Sequence, residues 1–267
     1  MVKITVMGAA GRMGKNIITA IDANPEATLG GATEAPGHPN LGADAAALAG
    51  FEVSGVTVVE DTTDAIKASD VVIDFTTPEV SIRTAEIATE LGKSIVIGTT
   101  GFSSAHREKI TELAENNRIV LAPNMSVGVN LLLKLVEEAA SVLHETFDIE
   151  IVEAHHRHKA DAPSGTAIRI AEVAAFGAKR KLEDVAVYER KGIIGERTRE
   201  EIGIQTLRAG DIVGDHTVLF GGDGERLELT HRAHSRMTFA SGAVRAAVWV
   251  TKQDTGLFDM QDVLGLK

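Results

Sequence analysis

The sequence predicts an α/β protein: a doubly wound parallel sheet, joined to a second domain of α+β type that carries a mixed or antiparallel sheet. Three observations predict it. Over roughly the first 125 residues, short β-branched runs alternate with longer helical patterns, as parallel βαβ units require. Several of these runs, among them Val71-Val72-Ile73 and Ile95-Val96-Ile97, are continuously apolar, as strands covered by helices on both faces are. From Ser126 the pattern changes to a long helix, an alternating strand and a set of strands separated by glycine-containing turns.

In order, the strands are expected at Lys3–Met7, Thr28–Thr33, Val56–Val59, Val71–Phe75, Ser94–Gly98 and Arg118–Ala122. The clearest helix starts between them are a Pro-Glu pair opening Pro78–Leu91 and a Ser-Ser pair opening Ser103–Asn116. Pro36–Gly50, rich in Gly, Ala and Pro, reads as a surface loop or short helix. A helix over Val129–Leu143 leads into the alternating strand Asp148–Glu153, and a further helix runs from Gly165 to about Phe176. Ile202–Arg208, Ile212–Phe220 and Glu225–His231 follow as consecutive, hairpin-like strands, and Phe239–Thr251 reads as a helix returning to the first domain. The expected division is residues 1–126 with 236–267, a dinucleotide-binding domain, and residues 127–235, a domain for substrate and oligomerisation.

Composition narrows the function classes. With 27 Lys+Arg against 38 Asp+Glu the net charge is −11, which argues against nucleic acid as a partner, since polyphosphate binding wants a basic face. The absence of cysteine removes thiolate catalysis, zinc ribbons and iron–sulfur ligation together. Apolar runs are broken well before a membrane-spanning length of about 18 residues, and Met1–Gly8 reads as a strand entering a glycine turn instead of a signal peptide. The expectation is a cytoplasmic protein with no membrane partner.

Gly8-Ala9-Ala10-Gly11-Arg12-Met13-Gly14 closes the first strand and opens the first helix, with glycines at intervals of three. Gly8 permits the tight turn, Gly11 lets the backbone approach a pyrophosphate, and Gly14 lets the helix lie close to the strand. Glu34 falls 20 residues after Gly14, where an acid accepts both ribose hydroxyl protons. This is the fingerprint of a Rossmann-type dinucleotide site. Arg12 and Lys15 are the nearest cations to a 2′-phosphate, and Arg12 is better placed for the pyrophosphate, so the residues lean towards NAD. Ligands in open α/β sheets lie across the carboxyl ends of strands, which brings in Asp74–Pro78, Gly98-Thr99-Thr100 and Ala122-Pro123-Asn124-Met125.

The densest chemistry is Glu153-Ala154-His155-His156-Arg157-His158-Lys159-Ala160-Asp161-Ala162-Pro163-Ser164-Gly165-Thr166. Ser164 is placed to cap the helix that follows, and the N–H groups around Gly165 and Thr166 are placed to hold a carboxylate. The histidines and Lys159 add positive potential and groups that move protons near neutral pH. The readings open at this point are a pocket for a small anion, a solvated charged loop, a metal site and a serine hydrolase. The histidine spacing matches no standard metal pattern, Arg157 and Lys159 oppose a dication, and no Gly-x-Ser-x-Gly elbow surrounds Ser164, so no metal is expected.

Together the glycine loop and the histidine-lysine stretch closely resemble the 4-hydroxy-tetrahydrodipicolinate (dihydrodipicolinate) reductase family of lysine and diaminopimelate biosynthesis. The likeness runs through Arg208–Gly214 and Ser235–Ala240. It implies hydride transfer from NADH or NADPH to a cyclic imine dicarboxylate, with release of tetrahydrodipicolinate and water. It further implies that His155 donates or accepts a proton, that Lys159 donates one, and that His156, Ser164, Gly165 and Thr166 hold the substrate. Gly8 to Met13, Glu34, Gly98 to Thr100 and Ala122 to Met125 would be cofactor contacts, and the assembly a homotetramer joined through the second domains. Members that favour NADPH carry Arg after the ribose-binding acid and another after the Asp-Phe-Thr strand end. This chain has Ala35 and Thr77 there, which implies that NADH serves at least as well as NADPH. A regulator that binds NAD and senses a metabolite without turnover is the alternative from a different class.

Overall fold

The computed structural model describes the whole chain, Met1 to Lys267. It begins with β1 (Val2–Met7), α1 (Arg12–Asp22), β2 (Ala27–Thr33), α2 (Ala45–Leu48), β3 (Val58–Val59), α3 (Thr62–Lys67), β4 (Val71–Asp74), α4 (Pro78–Glu90), β5 (Ser94–Ile97), α5 (Ser104–Ala114) and β6 (Arg118–Leu121). Next come α6 (Val127–Leu143), β7 (Asp148–His155), α7 (Gly165–Gly177), α8 (Leu182–Val185), β8 (Ala186–Val187), β9 (Ile202–Arg208), β10 (Gly214–Gly222) and β11 (Glu225–Ala233). The chain ends with α9 (Met237–Val250), β12 (Gly256–Phe258) and α10 (Met260–Leu264). Two compact units result, Met1–Val127 with Arg236–Lys267 and Gly128–Ser235.

The first unit is a Rossmann-like layer structure. Its seven-stranded sheet is parallel throughout, in the order β12-β6-β5-β4-β1-β2-β3, so the winding reverses between β1 and β4. The continuous apolar runs are explained by coverage of both faces. Ile4, Val6, Val71, Ile73, Val96 and Val120 share one core with α1 and α9, while Met7, Val72, Ile95, Ile97 and Ile119 face a second with α4 and α5. Helix starts follow the local chemistry: Pro78 occupies the first turn of α4, and Ser103 Oγ accepts the His106 N–H at 3.2 Å to open α5.

Two first-unit elements differ from expectation. The strand expected at Val56–Val59 shortens to Val58–Val59, because the backbone of Val56 and Val58 bonds to Gly42, Ala43 and Ala45 in the loop after β2. The short β12 carried no period to read, yet Gly256–Phe258 pairs with Arg118–Val120 and extends the sheet by one edge strand.

In the second unit the five strands run β11-β10-β7-β9-β8, with β7–β9 and β8–β9 parallel and β7–β10 and β10–β11 antiparallel. Only β10 and β11 form a hairpin. β9 and β10 are consecutive in sequence but are separated by β7, which pairs with β10 over Asp148–Ala154 and with β9 over Ile149–His155. Ile149, Ile151, Ile202, Ile204, Val218 and Phe220 form the buried face, packed under α6 and α7.

Candidate functional site

In the first unit, parallel pairing brings the carboxyl ends of β1, β2, β4, β5 and β6 to one sheet edge. Gly8–Met13, Glu34, Gly98–Thr100 and Ala122–Met125 all lie in the segments that leave those ends. Neighbouring ends are tied together. Ala9 N–H donates to Thr33 O at 3.0 Å, Gly98 N–H to Asp74 O at 2.9 Å, and Ala122 N–H to Ile97 O at 3.1 Å. Ser81 Oγ donates to Thr99 Oγ1 at 2.8 Å, linking α4 to the segment after β5.

The glycine loop fits a pyrophosphate. Gly8 has φ +63°, a left-handed turn, and a Cβ on Gly14 would lie 2.2 Å from Gly8 O, so α1 approaches β1 as only glycine allows. Gly11 is the N-cap of α1 and contributes no side-chain cap. The first intrahelical bond runs from Lys15 N–H to Gly11 O, so the N–H groups of Arg12, Met13 and Gly14 precede it and point where an anion is favoured. Glu34 reaches back to this loop, its Oε1 accepting the Ala10 N–H at 2.9 Å. The carboxylate expected at the ribose is therefore held within one residue of the phosphate loop. Arg12, Pro123 and Thr100 are exposed, whereas Ala9, Thr99, Ala122 and Met125 are buried and shape the edge by packing. Asp74 is fully buried at the end of β4. Burial raises its pKa, opposed by the N–H and hydroxyl of Thr76, which donate to its Oδ1 at 2.8 and 2.6 Å.

In the second unit the cationic cluster is organised by the sheet. Successive rows across β10, β7 and β9 read Phe220–Ile149–Ile202, Val218–Ile151–Ile204 and His216–Glu153–Thr206, and the next pair is His155–Arg208. The face that starts as a hydrophobic core thus ends in polar chemistry. Glu153, 0% exposed, accepts five hydrogen bonds. The donors are His155 Nδ1 at 2.6 Å, both terminal nitrogens of Arg208 at 3.0 Å, Ser164 N–H at 3.0 Å and Thr206 Oγ1 at 3.2 Å. Burial pushes the Glu153 pKa upward, but Arg208, His155 and the Ser164 N–H outweigh it and hold the group below the ordinary glutamate value.

Ser164 is the N-cap of α7, its Oγ accepting the Ala167 N–H at 3.1 Å and sharing a 3.0 Å hydrogen bond with His216 Nε2. Gly165 and Thr166 form the first turn, ahead of the first intrahelical bond from Ile168 to Ser164, and the space beside Gly165 is open. Lys159 Nζ lies 2.9 Å from the Asp161 carboxylate. His156 is anchored by its backbone, N–H to Ile212 O at 2.8 Å, and its ring centroid lies 6.2 Å from that of the exposed His158. His155, His156, Lys159, Ser164, Gly165 and Thr166 therefore occupy one strand end, one loop and one helix start in the same unit.

Burial lowers the His155 pKa, with Lys159 and Arg208 adding to the effect and Glu153 opposing it. His216, 4% exposed, is lowered to about 4, chiefly by burial and then by the neighbouring His155, whose ring centroid is 5.3 Å away. His216 binds fewer protons folded than unfolded between its ordinary 6.5 and about 4, so its contribution to stability is present above the unfolded value and lost as pH falls. Denaturant unfolding should lose up to ~3 kcal/mol over that interval, and His216→Gln should flatten the loss. Equal slopes in the two proteins would remove His216 from the account.

Glu153, Arg208 and His216 were not among the site residues expected from sequence. Each carried a signal in its strand phase. Glu153 continues Ile149-x-Ile151 and His216 precedes x-Val218-x-Phe220 on the same inward face, where a charged or titratable group is buried at a cost unless it is paired.

The family described as "Dihydrodipicolinate reductase, N-terminus" matches residues 2–125, and "Dihydrodipicolinate reductase, C-terminus" matches residues 128–264. The chain belongs to the dihydrodipicolinate reductase family. It is 55% identical to the 4-hydroxy-tetrahydrodipicolinate reductase of Geotalea uraniireducens (strain Rf4) over 267 residues, covering 100% of both chains. It is also 55% identical to the 4-hydroxy-tetrahydrodipicolinate reductase of Methylococcus capsulatus, covering 100% of this chain and 99% of that one. Among solved structures, the dipicolinate-bound dihydrodipicolinate reductase from Paenisporosarcina sp. TG-14 superposes with a TM-score of 0.78 at 26% identity, over 98% of each chain. The first unit is accordingly a nucleotide-binding Rossmann domain that takes a pyridine nucleotide.

Proposed function

We propose that this chain is an oxidoreductase that reduces 4-hydroxy-tetrahydrodipicolinate to tetrahydrodipicolinate in lysine and diaminopimelate biosynthesis, with one hydride and one proton entering and one water leaving. The observation that carries the reading is the cationic loop anchored on the buried Glu153, in a chain 55% identical end to end to reductases of that name. The reduced nicotinamide supplies the hydride when bound. The N–H groups of the glycine loop hold its pyrophosphate, Glu34 accepts from the ribose hydroxyls, and the segments after β5 and β6 complete the binding edge. His156, Ser164, Gly165 and Thr166 hold the substrate carboxylates through cationic and helix-start contacts. That a relative was solved with dipicolinate, itself a dicarboxylate, supports this assignment.

The chain's own part in the chemistry is protonation. Adding a hydride to a conjugated imine leaves electron density on the substrate, and a positioned cationic acid lowers the barrier to its protonation. Lys159 is the proton donor. His155, with Nδ1 engaged by Glu153, exchanges a proton through Nε2.

Ala35 and Thr77 leave no cation directly after Glu34 or after the Asp74–Thr76 strand end, so NADH serves at least as well as NADPH. Ala35→Arg should raise the NADPH to NADH ratio of kcat/KM by about tenfold or more by pairing with the 2′-phosphate. An unchanged ratio would place cofactor choice elsewhere. The sheet face opposite α6 and α7 exposes Leu207 and leaves Val152 and Leu219 half-buried, which supports a homotetramer joined through the second units. Sedimentation of the purified protein tests it, a monomer being the contrary result. No helix is long and apolar enough to cross a membrane, and a cytoplasmic setting suits the proposed biosynthetic role.

The deciding experiment is initial-rate oxidation of NADH and of NADPH, with the substrate generated in place from pyruvate and aspartate semialdehyde by the preceding synthase. Rapid synthase-dependent oxidation is the expected result. Nucleotide binding without turnover would favour a sensing role instead.

A further inference from the structure

Arg208 and Glu153 make more contacts than a strand-to-strand ion pair requires. The guanidinium grips both carboxylate oxygens at 3.0 Å and also donates to Asp161 O at 2.6 Å. The same carboxylate takes His155 Nδ1 at 2.6 Å and Ser164 N–H at 3.0 Å. This pair, with Glu153 buried and Arg208 half-buried, therefore holds the strand end that carries His155, the loop that carries Lys159, and the residue that starts α7. Breaking such a pair leaves a buried charge without its partner, so the arrangement is rigid.

The tautomer of His155 follows from these bonds. An ionised carboxylate only accepts, so the ring nitrogen against it, Nδ1, carries the proton, and neutral His155 keeps its lone pair on Nε2. That atom lies towards Gly214, in β10 beside the end of β7, where a Cβ would stand 3.1 Å from Nε2. Gly214 has no positive φ, so the turn does not require a glycine there. Any side chain at this position would stand against Nε2, and glycine places none there.

We propose that the Glu153–Arg208 pair, together with Gly214, is a positioning unit for proton transfer: the pair turns Nδ1–H of His155 into the protein, and Gly214 leaves Nε2 open to a reacting group. The charged and titratable groups facing His155 are Glu153 on its own strand, Arg208 on β9, His216 on β10 and Lys159 in the loop. The proposal rests on the reductase reading only for the use made of Nε2, since the tautomer belongs to the protein without substrate.

Nitrogen-15 NMR of histidine-labelled protein, free of substrate and above neutral pH, reads the tautomer directly. Nδ1–H with an unprotonated Nε2 is expected for His155, and the opposite tautomer overturns the proposal. In Glu153→Gln the carboxylate no longer dictates the ring, so kcat should fall by about tenfold or more while KM for the dicarboxylate stays within about threefold. The His155 titration should move to lower pH, since the one influence raising its pKa has been removed. Should that variant fail to fold, Gly214→Ala keeps the proposal exposed to refutation. The three atoms nearest its Cβ all belong to the His155 ring and none to the main chain, so the unfolding midpoint should hold while kcat falls by about tenfold or more. Wild-type kcat in folded Gly214→Ala would refute the open-Nε2 assignment. A wild-type protein without turnover would sink the reductase reading, and the tautomer would still decide the part played by Glu153.

Discussion

Lys159→Ala lowers kcat by about a hundredfold or more while the dissociation constant for NADH stays within about twofold. That is the expected outcome of removing a general acid, which contributes roughly 10²- to 10⁴-fold when it is positioned on the reacting group. The side chain is poised for the task, 20% exposed with Nζ 2.9 Å from the Asp161 carboxylate. Asp161 holds the ammonium, Arg208 pins the Asp161 backbone, and in the proposed reaction a substrate carboxylate competes with Asp161 for Lys159. The residues proposed for the nucleotide come from the other compact unit, which is why its affinity should survive. Initial rates with saturating substrate, set beside fluorescence titration of NADH, measure the two quantities. Equal losses in both would show that the lysine supports the fold or the nucleotide instead of the chemistry.

Gly14→Ala is expected to weaken nucleotide binding by tenfold or more and to cost ~1–3 kcal/mol of stability, because a buried helix contact is overpacked. The added Cβ would lie 2.2 Å from Gly8 O and 2.7 Å from the backbone of Ala9. Both neighbours are main chain, so no side-chain rotation relieves the contact. The start of α1 must move off β1, and with it the N–H groups proposed to hold the pyrophosphate. Denaturant unfolding and NADH titration on one protein sample test both halves. Wild-type values in each would mean that the helix slides without consequence, and the glycine loop would lose its assigned function.

Most of the first unit was legible because a parallel sheet covered on both faces writes itself as continuous apolar runs, as at Val71–Ile73 and Ile95–Ile97. The glycine loop was legible for a different reason: Gly8 and Gly14 are demanded by backbone geometry that no other residue meets. Short pieces escaped. β12 has three residues, too few for any period, and its place on β6 is decided by tertiary packing. In the second unit the strands were readable but their neighbours were not, since hairpin-like spacing between β9 and β10 says nothing of β7 lying between them. The cluster from His155 to Thr166 stood out through the density of its titratable groups. Glu153, Arg208 and His216 were harder to see, because their roles arise from register across three strands, and register is not written in any one of them.

The return of the chain as α9 has a consequence for how the protein is made. Ala240, Ala243, Val244 and Ala247 supply part of the core that covers Ile4, Val6, Ile73 and Val96, yet they are synthesised after the whole second unit. During translation the parallel sheet waits with one face partly bare, while residues 128–235 already hold everything their own core needs. The second unit is thus free to fold first and the first unit closes last, through contacts spanning more than two hundred residues of the sequence, a slow and aggregation-exposed step. A chain interrupted before Met237 would keep its glycine loop and its histidine cluster and still expose a hydrophobic face that chaperones and proteases recognise.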